Sequence, residues 1–302
     1  MQKPQQILSI GALLVDMLCE VNRLPQSGGG EVANSYQMSL GGCEANSANI
    51  VRQIGEQCTL LAPIGKGLFA SFAETELRKT GFAPFNVETT LDNGACVIMV
   101  EPNGERTMMT LRGIERAFDP AWFAQIDPRQ FSAVLTSGYE LDGVGGEPII
   151  DFLEANRQIQ FYYDPGPCVL SVSPDKVARI NALGPVWHLN AMEAHTYTGL
   201  EDLIQAGERI LAECNNAVVI TAGAEGAYLF TADERLHVPS TAVVPIDTVG
   251  AGDAHLGALV AARNQGASWF DALSLANRLA AAVCLQKGAL LPDETVRQII
   301  QA

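Results

Sequence analysis

The stretch Asp247-Thr248-Val249-Gly250-Ala251-Gly252-Asp253, continued by Ala254-His255-Leu256-Gly257, decides how the rest of the 302-residue chain is read. Small residues ahead of an apolar helical run make an anion cradle. Gly250, Ala251 and Gly252 let the backbone turn tightly and aim successive N–H groups at one point, where the helix dipole adds partial positive charge. A phosphate would be held there without a lysine. Asp253 then stands in the first turn of the helix, beside the cradle, where a carboxylate can take the proton of an attacking hydroxyl. The plainer alternative is an acidic residue favoured by the helix dipole after an ordinary glycine turn. On these residues alone both readings stand.

Outward from this stretch, short apolar runs alternate with amphipathic ones. Residues 7–10, 59–64, 133–136, 159–163, 186–189 and 217–221 read as strands buried on both faces. Residues 44–54, 69–79, 147–156, 174–182 and 200–214 read as helices, and longer alanine-rich helices are expected at 254–265 and 269–285. This rhythm predicts an α/β fold with a mainly parallel sheet covered by helices. Two segments break it. Residues 31–40 alternate like a half-exposed strand, and residues 95–111 read as a hairpin turning at Asn103-Gly104, so a small β flap is expected. Gly28-Gly29-Gly30 supplies either a surface turn or a hinge.

Composition narrows the function. The balance of 34 acidic against 19 basic residues gives a net charge of −15, which opposes binding to nucleic acid or to an anionic membrane. Seven cysteines, odd in number and without a C-x-x-C pair, argue against a disulfide framework or zinc site and for a reducing compartment. No run approaches the roughly 20 apolar residues needed to span a bilayer, so a cytoplasmic protein is expected.

The sequence D-T-V-G-A-G-D is similar, residue for residue, to the second signature of the ribokinase-like (PfkB) carbohydrate kinases. The resemblance implies a ribokinase-like three-layer fold over residues 1–302, with a β lid formed by about 12–40 and 92–112. It also implies that Asp253 is the catalytic base and that Gly250, Ala251 and Gly252 form the anion hole. Other segments resemble the family in turn. Gly11-Ala12-Leu13-Leu14-Val15-Asp16 looks like its first strand and turn, and Gly41-Gly42-Cys43-Glu44-Ala45-Asn46 like its first signature. By this resemblance Asp16, Gly42 and Asn46 bind the substrate. Asn190-Ala191-Met192-Glu193 resembles its N-x-x-E motif, which implies Asn190 beside the nucleotide and Glu193 on Mg²⁺ through water. Without the resemblance the same two residues read as a helix cap and its partner. Thr221, Gly223 and Gly226 correspond to the segment that meets the phosphates, Asn277 to the residue beside adenine, and Asp247 to a monovalent-cation site such as one for K⁺.

The implied activity is transfer of the γ-phosphoryl group of MgATP to a hydroxyl, expected to be primary, of a sugar or sugar-like substrate. A homodimer through the lid is compatible with an exposed flap edge. Departures bear on the substrate. Leu14 replaces the asparagine that ribose-specific members carry two residues before the aspartate, and Cys43-Glu44 stands where they have Lys-Gly, which argues against ribose. His255 replaces a usual phenylalanine and reads as a helix-packing residue, while His188 reads as core and His195 as helix surface. Rival readings are a nucleoside kinase of the same fold, a non-catalytic sugar or nucleotide sensor, and an NAD-dependent oxidoreductase. The last would use Gly65-x-Gly67-x-x-Ala70 with Glu88 downstream.

Overall fold

The computed structural model describes residues 6–301. The chain begins with β1 (Gln6–Ile10), β2 (Leu14–Glu20), β3 (Ser35–Gly41), α1 (Cys43–Ile54), β4 (Cys58–Leu61), β5 (Pro63–Ile64) and α2 (Leu68–Lys79). It continues through β6 (Phe85–Asn86), β7 (Gly94–Val100), β8 (Arg106–Leu111), α3 (Pro120–Phe123), β9 (Phe131–Ser137), α4 (Gly138–Leu141), α5 (Gly146–Ala155) and β10 (Gln160–Asp164). Next come α6 (Pro174–Asn181), β11 (Val186–Asn190), α7 (Ala191–Thr198), α8 (Leu203–Cys214) and β12 (Ala217–Thr221). The last elements are β13 (Ala227–Thr231), β14 (Arg235–Val238), α9 (Ala251–Asn264), α10 (Trp269–Val283) and α11 (Asp293–Gln301).

These elements fall into two units. Among the described residues, the first contains 6–11, Cys43–Leu61 and 119–301. Its eight-stranded sheet has the order β14-β13-β12-β11-β10-β9-β1-β4, parallel from β12 to β4 and antiparallel at β13 and β14. The parallel strands are apolar on both faces because helices cover both; Val218, Val219 and Ile220 of β12 are all fully buried. Helices α1, α9 and α10 share one core with the sheet, in which Ile50, Leu259 and Leu273 meet Ile7, Leu135 and Val219. Each such side chain contributes roughly 1.5–3 kcal/mol on burial.

The parallel register fixes where a ligand can bind. Strands β9 to β12 end at Ser137, Asp164, Asn190 and Thr221, with Ser137 paired to Asp164 and Asn190 to Thr221. All four polar residues therefore line up on the carboxyl edge of the sheet, where open α/β sheets form their binding crevices.

The second unit, Ala12–Gly42 with Ala62–Phe118, holds a four-stranded sheet of order β3-β2-β7-β8 and the small parallel pair β5-β6. Both segments expected for a lid lie in it. The hairpin turns at Asn103-Gly104 as expected, with Gly104 in the left-handed region (φ 86°) and its N–H donating to Glu101 O at 2.8 Å. The triglycine is an exposed turn in which the Gly29 N–H donates to Gln26 O at 2.9 Å.

Some expectations need correction. The single strand expected over 59–64 is divided: β4 stays in the large sheet, and β5 opens with Pro63, which lacks an N–H, and pairs with β6. The helix expected from residue 200 starts at Leu203, because Asp202 caps it by accepting from the Ile204 and Gln205 N–H groups, and Gly199 ends α7 before it. Asp16 lies inside β2, opposite Ser39 and Cys96, rather than in a turn after the first strand. Strands β13 and β14 and helix α11 have no counterpart in the sequence expectations, and of α7 only the cap residues and His195 were read. No described helix is long and apolar enough to cross a membrane, and all seven cysteines are free.

Candidate active site

Helix α9 grows directly out of the glycine turn. Gly250 has φ 79°, and a Cβ there would overlap the Ala289 methyl group, so backbone and packing both require glycine. Gly252 differs. A Cβ on it would meet nothing within 4 Å, so the fold makes no demand for glycine, and the space it leaves open belongs to a cavity. The Ala251 N–H donates to Thr248 O at 3.3 Å and is drawn into the turn. The N–H groups of Gly252 and Asp253 follow in the first helical turn, beyond reach of any intrahelical acceptor.

Asp253 is held by the crossing of α1 and α9. The helices approach closely because Gly257 has no side chain; a Cβ there would overlap the Ser47 carbonyl oxygen. That approach lets the Ser47 hydroxyl donate to Asp253 O at 2.9 Å and Asn46 Nδ2 donate to Asp253 Oδ2 at 2.7 Å. Burial, reinforced by Asp164 and opposed by Asn46, the Cys43 thiol and His188, raises the Asp253 pKa to about 6. The carboxylate is thus a base poised one unit below neutrality.

A buried polar chain lies alongside. His188 Nδ1 is 2.7 Å from Asp164 Oδ2, and His188 Nε2 is 2.9 Å from His255 Nδ1. The three side chains therefore form one continuous hydrogen-bonded chain, with a ring nitrogen of His188 facing each neighbour. Burial, with His188 nearby, holds His255 neutral by pushing its pKa well below the ordinary range. Both histidines are buried, as expected. The chain they form with Asp164 was not expected, although Asp164 ends a parallel strand just before Pro165-Gly166, a position that marks ligand-edge residues.

Asn190 and Glu193 do form a capping box. Asn190 Oδ1 accepts from Glu193 N–H at 2.9 Å, and Glu193 Oε2 accepts from Asn190 N–H at 2.8 Å. Glu193 also faces the first cavity, and burial together with Asp164 raises its pKa. Among the described residues no three His, Cys, Asp or Glu side chains converge into a metal cage. A cation beside Glu193 would be held through water and phosphate oxygens, the mode that suits Mg²⁺.

Two cavities adjoin. The first, about 160 Å³, is lined by Asp253, Gly252, Asn190, Glu193 and Thr221 together with Asp164 and His188. The second, about 230 Å³, is lined by Thr221, Gly223, Gly226, Ala251, Gly252, His255 and Asn277. Thr221 and Gly252 belong to both, so Gly252 stands where the two spaces meet. Asn277 Nδ2 donates to Val238 O at 2.8 Å, which fixes its amide in the wall of the second cavity.

The remaining expected residues lie elsewhere. Asp247 directs both carboxylate oxygens at backbone, Oδ1 to Val249 N–H at 2.9 Å and Oδ2 to Gly288 N–H at 3.1 Å, and so ties the turn to the C-terminal loop. Asp16 and Gly42 belong to the second unit. Gly41 leaves the room that the Asp16 carboxylate occupies, and a Cβ on Gly42, at φ 126°, would overlap Ala12 O. Burial raises the Asp16 pKa to about 6. The glycine-rich start of α2 is no dinucleotide site, because Asp92 accepts from the Phe69 and Ala70 N–H groups at 3.2 and 2.7 Å and fills the anion position itself.

Comparison with known proteins gives the fold and the family. The chain is 28% identical over 288 residues to an uncharacterized sugar kinase of Escherichia coli K12, YegV, covering 94% of this chain and 90% of that one. It is 26% identical to the deoxyribokinase of Salmonella typhi over 83% of each chain. Among solved structures, a probable sugar kinase from Rhizobium etli superposes with a TM-score of 0.84 at 19% identity over 100% of both chains. A ribokinase from Thermotoga maritima gives 0.82 at 20% identity over 98% of this chain and 99% of that one. These two show the ribokinase-like fold. The sequence pattern of the pfkB family carbohydrate kinases matches residues 4–296, so the chain belongs to that family, whose members transfer phosphate from ATP to a sugar.

Proposed function

We propose that the chain phosphorylates a hydroxyl of a sugar-like substrate, with Asp253 as general base. The observation that carries the reading is a half-buried carboxylate held by Asn46 at the start of a helix whose neighbouring glycine opens onto two cavities. Asp253 accepts the acceptor's hydroxyl proton as its oxygen bonds to the γ-phosphorus of ATP and the bond to the ADP oxygen breaks. The N–H groups of Gly252 and Asp253, with the α9 dipole, stabilise charge that develops on the transferring group. Thr221, Gly223, Gly226 and Asn277 are assigned to the nucleotide, Asn190 and Glu193 to the phosphate end, and Asp16 with Gly42 to the sugar. Mg²⁺, held through water near Glu193, would neutralise phosphate charge. Asn46 acquires a role absent from the sequence reading: it aims the base.

Purified protein with MgATP, screened against pentoses, hexoses and nucleosides for ADP release, tests the reading. One acceptor class should raise release well above the basal rate; a screen in which none does would sink it. With the active acceptor, kcat/KM should fall below about pH 6, because protonation removes the base. Asp16 titrates in the same range, so the acid limb should approach two protons in steepness, and Asp16→Asn should reduce it to one. A limb centred near the ordinary carboxylate value would contradict the assignment of Asp253.

A further inference from the structure

The first cavity follows the carboxyl edge of the sheet from Thr221 of β12, past Asn190 and Asp164, to Ser137 of β9. Neighbouring strands are about 4.8 Å apart, so the Ser137 end lies roughly 10 Å from the Asn190 end. Glu44, from the first turn of α1, lines the cavity with Ser137 and Tyr139. Its side chain occupies the space that Gly11 leaves by having no Cβ. Glu44 is only 3% exposed, and its Oε2 has no hydrogen-bond partner. Such an oxygen is costly until a donor reaches it.

The surroundings specify the donor's charge. Ser137 donates to the neighbouring Glu140, and burial together with Glu140 holds the Glu44 carboxyl well above the ordinary carboxylate range. The other acidic groups lining the cavity are Asp164, Glu193 and Asp253, and no lysine or arginine lines it. Its single imidazole, His188, is committed to Asp164 and His255. A further anion at the Glu44 end would therefore meet carboxyl groups and no cation.

We propose that Glu44 sets acceptor specificity: the acceptor presents a hydroxyl or a protonated amine to it and carries no carboxylate or phosphate at that end. The substrate class is then a neutral polyol or an amino sugar, with sugar acids and sugar phosphates rejected. This rests on the kinase reading above and narrows it.

Matched neutral, amino, acid and phosphorylated forms of several sugars test the proposal in two ways: ADP release with MgATP, and calorimetric binding without nucleotide. The acid and phosphate forms should fall at least about 100-fold below their neutral or amino counterparts in both. Glu44→Gln, nearly isosteric, and Glu44→Gly should each shrink that ratio tenfold or more, by order of magnitude, with the amine losing most. Sugar acids or phosphates preferred by the wild type, or ratios unchanged in both folded variants, would overturn the role of Glu44 while leaving phosphotransfer intact. Neutral ligands that bind in the expected order, lose it in the variants, and are never phosphorylated would keep Glu44 and remove the kinase reading. Failure of every class to bind would remove both.

Discussion

Replacing Asp253 by asparagine is expected to lower turnover by about 10²–10⁴-fold while leaving ATP binding nearly unchanged, because the amide keeps the shape of the carboxylate but cannot take a proton. The same change should make the protein more stable above neutrality. Folding raises the Asp253 pKa from its ordinary 3.8 to about 6. A carboxyl group raised in this direction contributes its full stability below the unfolded value and loses it as pH rises through the folded one. The loss comes to ~3 kcal/mol for a shift of this size. Asparagine has no such loss. Urea unfolding of wild type and variant should therefore diverge at about pH 8, with the variant more stable, and converge toward about pH 4. Turnover within a factor of a few of wild type would end the role of Asp253 as base. Equal stability at all pH values would show that burial does not strain the carboxylate.

Changing Gly252 to alanine is expected to separate activity from stability in the opposite sense to most glycine replacements. A Cβ at this position meets no atom within 4 Å, and the residue lies inside α9, so alanine should stabilise the folded state by roughly 0.5–1 kcal/mol. The methyl group would nevertheless project where both cavities meet and displace the group that the first-turn N–H donors are assigned to hold. Loss of one such interaction costs on the order of 10²–10³-fold in rate. A thermal melt that rises while MgATP turnover collapses is the expected pair of results. Full activity would mean that the transferring phosphoryl group passes elsewhere. Gly250→Ala is the contrasting control: its left-handed backbone and the overlap with Ala289 predict a loss of stability.

Much of the fold was legible in the sequence because the large sheet has helices on both faces, which leaves its strands as near-continuous apolar runs such as Val218-Val219-Ile220. The edge strands β13 and β14 were not. In β14 only Val238 is buried, and a short run with one face outside the core gives little periodic signal. Helix α7 was legible only at its start and its extent was not, for a related reason: Ala194 is its sole buried residue, and what defines it is the pair of ends made by the Asn190–Glu193 box and Gly199.

At the site, local chemistry was readable where it is written in consecutive residues. The glycine turn, the carboxylate in the first helical turn and the cap pair at Asn190 and Glu193 all follow from spacings of a few residues. Contacts across long stretches of chain could not be read in this way. Asn46 and Asp253 are 207 positions apart, and His188 and His255 are 67 apart. Their pairing depends on which helices cross and on small residues, such as Gly257, that let them cross closely. Charge and burial around Glu44 were equally invisible, since Gly11, Ser137 and Glu140 reach it from other segments.

The sequence by itself determined that this is a mainly parallel α/β chain with an acidic residue in the first turn of a helix that follows a glycine turn, because backbone turns and helix starts are set by neighbouring residues. Only the tertiary structure decided that Asn46 donates to that residue, that burial lifts its pKa to about 6, and that Glu44, Asp164 and Glu193 line the same cavity. The physical reason is that hydrogen-bond geometry and desolvation are properties of what surrounds a group, and here nearly all of those surroundings come from distant parts of the chain.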